Sequence, residues 1–106
     1  MISYEEVGVN YDPANFAYVG IDPYNALLPI QDRIVYTHWK DIVHTNEGPE
    51  YCAFGEGEIN WPPIVSKLME TYKGLWAIEY ENIADPIKGT LRSLKNLQTI
   101  VKKVHK

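Results

Sequence analysis

The sequence predicts an α/β fold with a parallel sheet, built as one domain over residues 1–106. Short runs rich in β-branched and aromatic residues alternate with segments whose apolar residues recur at three- and four-residue steps. The resulting order, β, α, β, α, β, α, argues for parallel strands joined by right-handed crossovers. The strand-like runs also end alike, in polar residues able to do chemistry: Asp12 after the first, His38, Lys40 and Asp41 after the second, Glu79 within the third.

The first strand is VGVNY, Val7 to Tyr11, which stops at the turn-prone Asp12-Pro13-Ala14-Asn15. Within the segment Asp22 to Asp32, Asp22-Pro23 opens a short helix through Ala26, Leu27 and Leu28, which Pro29 ends. Arg33 to Thr37 reads as the second strand. A long connection follows through HTNEGPEYCAFGEGEINW, residues 44–61, and connections of that length are more often functional or disordered than idle. Asn60 caps the next helix, where Ile64, Leu68 and Tyr72 step by four with Val65 and Met69 alongside, until Gly74. LWAIEY, Leu75 to Tyr80, is the third strand, apolar until Glu79 interrupts it. Asp85-Pro86 starts the last helix, with Ile87, Leu91, Leu94, Leu97, Val101 and Val104 along one face. Lys102, Lys103 and Lys106 sit at its C-terminus, where the helix dipole favours cations.

Composition narrows the partners. Ten Lys and Arg against 14 Asp and Glu give a formal charge of -4, so a phosphate polymer would meet a repulsive mean field and no nucleic-acid partner is expected. Cys52 is the only cysteine, which excludes an internal disulfide and suits a reducing, cytoplasmic compartment. Neither a basic-then-apolar leader nor an apolar run of membrane-spanning length is present, so no membrane is expected.

In a parallel α/β sheet the strand C-termini converge, and sites are built on that face. Asp12, His38 and Glu79 are therefore expected together. Two carboxylates and an imidazole suit Mn²⁺, Mg²⁺, Co²⁺ or Zn²⁺, any of which could polarise a substrate carbonyl or hydroxyl. Glu79 is hard to explain as structure, because an unpaired carboxylate within an apolar strand is costly. His44 and His105 have no companions at ligand spacing and read as surface residues. Glu56 and Glu58 read as solvated, Trp61 and Trp76 as packing residues. Cys52 has no general base beside it in the sequence.

The stretches VGVNYDPAN, DRIVYTHWKD, FGEGEINWPPIV and LWAIEYE, in that order, resemble the xylose isomerase-like sugar isomerase/epimerase superfamily, which also includes inosose-processing enzymes and apurinic endonucleases. The resemblance covers nearly the whole chain. It implies a partial TIM (β/α) barrel of about three βα units, corresponding to strands six to eight. It further implies a divalent metal held by Asp12, His38 and Glu79, with one more glutamate ligand belonging to the part of the barrel this chain lacks. By the same resemblance Glu79 also moves a proton, while Lys40 and Asp41 match the family's His-x-Lys-Asp ending and orient substrate oxygens. Trp39 and Asn15 are further candidate substrate contacts, Asn15 standing where several epimerases of the family carry histidine. The GEGEINW turn, Gly55 to Trp61, is similar to the loop that closes over the site after the seventh strand.

The activity so implied is metal-dependent isomerisation or epimerisation of a sugar, sugar phosphate or inosose, with a sugar or polyol as substrate. Dehydration of a cyclic keto-sugar by the same metal is an alternative from the same resemblance, and the endonuclease relatives fit less well, since they gather more histidines. A catalytically incomplete fragment, or an assembly partner, is the alternative from outside enzymology. Three strands cannot close a barrel, for which about eight are needed, so a second copy or a complementing chain is expected to cover the open edges.

Overall fold

The computed structural model describes residues 7–105. Residues 1–6, with the expected absence of a leader, and Lys106, expected in the last helical turn, lie outside the described residues. The strands are β1 (Val9–Tyr11), β2 (Ile34–Trp39), β3 (Asp41–Thr45), β4 (Gly48–Cys52) and β5 (Trp76–Ile78). The helices are α1 (Pro13–Tyr18), α2 (Pro23–Leu27), α3 (Trp61–Thr71) and α4 (Pro86–Val104), with a 3₁₀ turn at Gln31–Arg33.

A three-stranded parallel sheet in the order β1-β2-β5 forms the body, with β2 at its centre. Its strands are parallel, as the alternation of elements predicted, and among the described residues the sheet is open, as the partial barrel implied by the resemblance requires. Along β2 the side chains alternate. Thr37 and Trp39 are buried, while Tyr36 and His38 occupy the opposite, partly exposed face. Beneath Trp39 lies an aromatic core: its ring stacks on Trp76 at 4.9 Å and meets Trp61 and Phe54 edge-on at 5.4 and 5.8 Å. The indole N–H of Trp39 donates to Thr37 Oγ1 at 2.9 Å, and that hydroxyl donates to the Leu75 carbonyl at 2.9 Å, which ties β2 to the start of β5. Ile64, Val65 and Leu68 of α3 close the core, so the four-residue stepping read in the sequence does mark its buried side.

The short helix expected after Asp22-Pro23 is α2, and it ends ahead of Pro29 as expected, since proline has no N–H to continue the ladder; the 3₁₀ turn follows. The structure differs from the sequence reading in three places. Asp12 and Pro13 start α1 rather than a turn: the Asp12 carboxylate accepts from the Asn15 N–H at 3.3 Å, and proline fits the first helical position. β2 runs two residues further than expected, to Trp39. Part of the long connection is an antiparallel hairpin, β3 with β4, in which Asp41 faces Cys52 and Thr45 faces Gly48. Its turn is held by the Thr45 hydroxyl, which donates to the Gly48 carbonyl at 2.9 Å and accepts from the Glu47 N–H at 3.1 Å.

The apolar stepping of α4 has two roles. Leu97 is buried and Val101 and Val104 pack on the core, but Ile87 is 74% exposed and Leu91 60%. The N-terminal half turns small residues inward, because the ring of Tyr80 lies there: a Cβ on Gly89 would sit 1.9 Å from Tyr80 Cε2. Among the described residues β1 and β5 each pair on one side only, with β2. No helix among them is long and apolar enough to cross a membrane.

Candidate metal centre

Parallel pairing brings the three strand ends together. Asp12 follows β1 directly, His38 is the penultimate residue of β2, and Glu79 follows β5 with its N–H donating to the Trp39 carbonyl at 3.0 Å. Asp12, His38 and Glu79 each offer a ligand atom, all within 4.8 Å of one another. Asp12 is buried, whereas His38 and Glu79 are about one-third exposed, which leaves the group open on one side. His38 Nδ1 lies 3.3 Å from Glu79 Oε1 and 3.5 Å from Asn10 Nδ2, and the ring packs edge-on to Tyr36 at 5.2 Å.

Lys40 enters the same group. Its ammonium donates to Asp12 Oδ2 at 2.8 Å and to Glu79 Oε1 at 3.3 Å, with the side chain only 12% exposed. Burial acts to lower its pKa, but the hydrogen bond and charge of Asp12, joined by those of Glu79, outweigh it and hold the ammonium above its ordinary value. Lys40 Nζ also lies 4.7 Å from the centroid of the Tyr51 ring. Tyr51 is delivered by the hairpin; its hydroxyl donates to Asn15 Oδ1 at 2.8 Å and its ring stacks on Tyr18 at 4.8 Å. Asn15, exposed at the start of α1, is thus set at the rim of the group through Tyr51.

Two of the sequence-derived candidates are placed elsewhere. Trp39 is fully buried on the opposite face of β2, so it packs the core and does not reach a ligand. Asp41 is fully buried as well, and both its oxygens are occupied. Oδ1 accepts from the Ile42 and Ile59 N–H groups at 2.9 and 3.2 Å, Oδ2 from the Gly55 N–H at 3.2 Å and the Trp61 indole at 2.7 Å. Asp41 therefore pins the GEGEINW loop and does not face substrate. Gly57 is required beside it, since a Cβ there would lie 2.3 Å from the Ile42 carbonyl oxygen.

A cleft of about 670 Å³ opens from Lys40 and Glu79 toward Tyr80, Asp85 and Arg92, with Tyr51 on its wall. Arg92 ties two of its sides. The guanidinium donates to Glu56 at 2.6 and 3.3 Å and to Asp85 at 3.2 Å, while the Tyr80 hydroxyl donates to Asp85 at 2.5 Å. Those bonds raise the Arg92 pKa and lower that of Asp85, so the pair stays charged. Glu56 is thus a partner of α4 rather than simply solvated, and Glu58 meets His44 at 2.7 Å on the surface. The sequence reading missed Tyr51 and Arg92. Tyr51 becomes legible only once the hairpin is recognised, while Arg92 stands seven residues after Asp85, on the same side of the helix.

Cys52 also lines this cleft, but its thiol is a poor nucleophile. Burial first, then the charges of Asp41, Glu56 and Glu58, push its pKa up from 9.0 to about 11. The thiolate fraction at pH 8 is accordingly about a hundredfold below that of an unperturbed cysteine. Higher intrinsic nucleophilicity of the thiolate offsets part of this, so alkylation by iodoacetamide is expected to be about tenfold slower in the native chain than in urea. The native rate should climb until about pH 11, whereas the urea rate should level off near pH 9. Equal rates in the two states at pH 8 would contradict it.

The sequence matches the family described as "Xylose isomerase-like TIM barrel" over residues 1–100. The solved structure of a xylose isomerase domain protein from Planctomyces limnophilus is 25% identical and superposes with a TM-score of 0.79, covering 97% of this chain and 40% of that one. A D-tagatose 3-epimerase-like protein is 27% identical with a TM-score of 0.69, covering 97% and 39%. No curated protein matches. The chain spans less than half the length of either solved structure.

Proposed function

Because the chain belongs to the xylose isomerase-like TIM barrel family, we propose that it is the C-terminal part of a metal-dependent enzyme that isomerises or epimerises a sugar, sugar phosphate or inosose. The observation that carries this is the convergence of Asp12, His38 and Glu79 at three parallel strand ends. The donor set fits a divalent cation of borderline to hard character, Mn²⁺, Mg²⁺, Co²⁺ or Zn²⁺. Such an ion supplies Lewis acidity toward adjacent carbonyl and hydroxyl oxygens of the substrate. Glu79 would take a proton from one carbon and return it to the next, a role supported by its position on the cleft wall. Lys40 and Asn15 with Tyr51 would orient the substrate's hydroxyls, and the opposite acid or base would come from the remainder of the barrel.

The sheet edges fit the same reading. Among the described residues β1 and β5 end the sheet unpaired on their outer sides, and Ile87 and Leu91 of α4 stand exposed. A complementing chain or a second copy would cover them and supply the missing ligand. Without one, the same features describe a catalytically incomplete unit.

The test is a titration of the purified chain with Mn²⁺ and Co²⁺, followed by calorimetry, with molecular mass measured on the same sample. Saturation at one ion per chain is expected, and the loaded protein is then offered ketoses in D₂O, with incorporation of deuterium at carbon read by NMR. A chain that takes up neither ion would overturn the proposal.

A further inference from the structure

We propose that Lys40 is an internal cation that competes with the divalent ion for the carboxylates of Asp12 and Glu79, so that loading the metal and releasing Lys40 toward substrate are one event. The inference rests on the proposed metal reading and concerns what this chain does to that site.

Lys40 holds the one Asp12 oxygen left free by the helix cap and, with it, one of the two oxygens of Glu79. Asp12 Oδ1 is engaged at the cap of α1, accepting from the Asn15 N–H at 3.3 Å, which leaves Oδ2 as the oxygen turned to the group. Lys40 Nζ sits 2.8 Å from that atom. Glu79 Oε1, the oxygen nearest His38 at 3.3 Å, is likewise 3.3 Å from Lys40 Nζ. An ammonium and a divalent ion cannot both stand at contact distance from the same two oxygens without repelling each other strongly in a partly buried place. One of them must yield, and the ammonium is the mobile one, carried on a flexible four-carbon stem.

The ammonium already stands over an aromatic ring that can keep it once the carboxylates let go. The Tyr51 ring lies 4.7 Å from Nζ, held by its hydroxyl on Asn15 and by its stack on Tyr18, and an aromatic face attracts a cation. Tyr51 is part of the cleft wall, so a lysine that keeps this contact after losing the carboxylates stays inside the cleft, with its three donors free for whatever oxygen enters. The lysine therefore acts as a positioning residue whose state follows the metal.

Calorimetric titration with Mn²⁺ of the full chain carrying Lys40→Met or Lys40→Gln, two neutral side chains of similar reach, tests this. Folding is checked by far-UV circular dichroism. The neutral variants are expected to bind Mn²⁺ at least about tenfold more tightly than the unaltered chain, the worth of two charge-assisted contacts no longer to be broken. Lys40→Arg keeps the charge and is expected to bind close to the unaltered chain. If the unaltered chain binds Mn²⁺ and the neutral variants bind it equally or more weakly, Lys40 does not compete and this inference fails while the metal reading stands. If neither the unaltered chain nor the neutral variants bind the ion, both fail together.

Discussion

Replacing Asp41 by alanine is expected to destabilise the chain by about 3–5 kcal/mol, the cost of leaving several buried or partly buried N–H donors without an acceptor. The side chain is fully buried and accepts four hydrogen bonds, three from backbone N–H groups and one from the Trp61 indole. Alanine would leave those donors facing an apolar methyl, with the indole trapped in the aromatic core. Asparagine would be little better. It offers one acceptor oxygen where two are used, and turns an NH₂ group toward donors. Against a total stability of about 5–15 kcal/mol for a domain of this size, such a loss is a large fraction. Urea unfolding followed by circular dichroism reads it directly, as a lower midpoint with an unchanged slope. A loss below about 1 kcal/mol would show that the loop from Gly55 to Trp61 does not depend on this carboxylate.

The same residue shows how far the sequence could be read. The HWKD ending was legible as the end of a strand in a parallel sheet, because β-formers stop there and the alternation of strands and helices fixes the topology. What a linear reading could not assign was which of four consecutive residues turns to which face. β2 extends through Trp39, so the period of two sends His38 to the site and Trp39 into the core. Lys40 then leaves the strand and bends back onto Asp12 and Glu79. Asp41 begins the hairpin and points inward, where the loop wraps over it. The convergence of Asp12, His38 and Glu79 was legible because strand ends meet whatever the details of the loops between them. Tyr51 was missed for the opposite reason: its place depends on the register of a hairpin closed by Thr45, and short polar strands carry little hydrophobic pattern. On α4, stepping by three and four identified an apolar side but not what covers it. Ile87 and Leu91 belong to that side, yet the neighbours that would bury them are not among the described residues.

His38→Ala is expected to reduce affinity for Mn²⁺ by at least about 100-fold on the proposed reading, while leaving the fold intact. Residues that merely support a metal ligand already matter by about 10–100-fold, so loss of a direct ligand from a set of three costs at least the upper end of that range. Folding should be indifferent, because His38 is about one-third exposed, makes only contacts near the outer limit of hydrogen-bond distance, and lies on the opposite face of β2 from Trp39 and Trp76. Asp12→Asn makes the useful contrast. Asparagine still caps a helix, so α1 is kept, but the charge that pairs with Lys40 at 2.8 Å is gone, and both metal binding and local stability should fall. Glu79 stands between the two, since it touches His38 and Lys40 through one oxygen and leaves the other toward the cleft. Calorimetry with Mn²⁺ and thermal unfolding on the same samples separate these roles. If His38→Ala bound the ion as tightly as the unaltered chain, the convergence of the three strand ends would be an arrangement of structural ion pairs centred on Lys40, and the site would have to be sought elsewhere in the cleft.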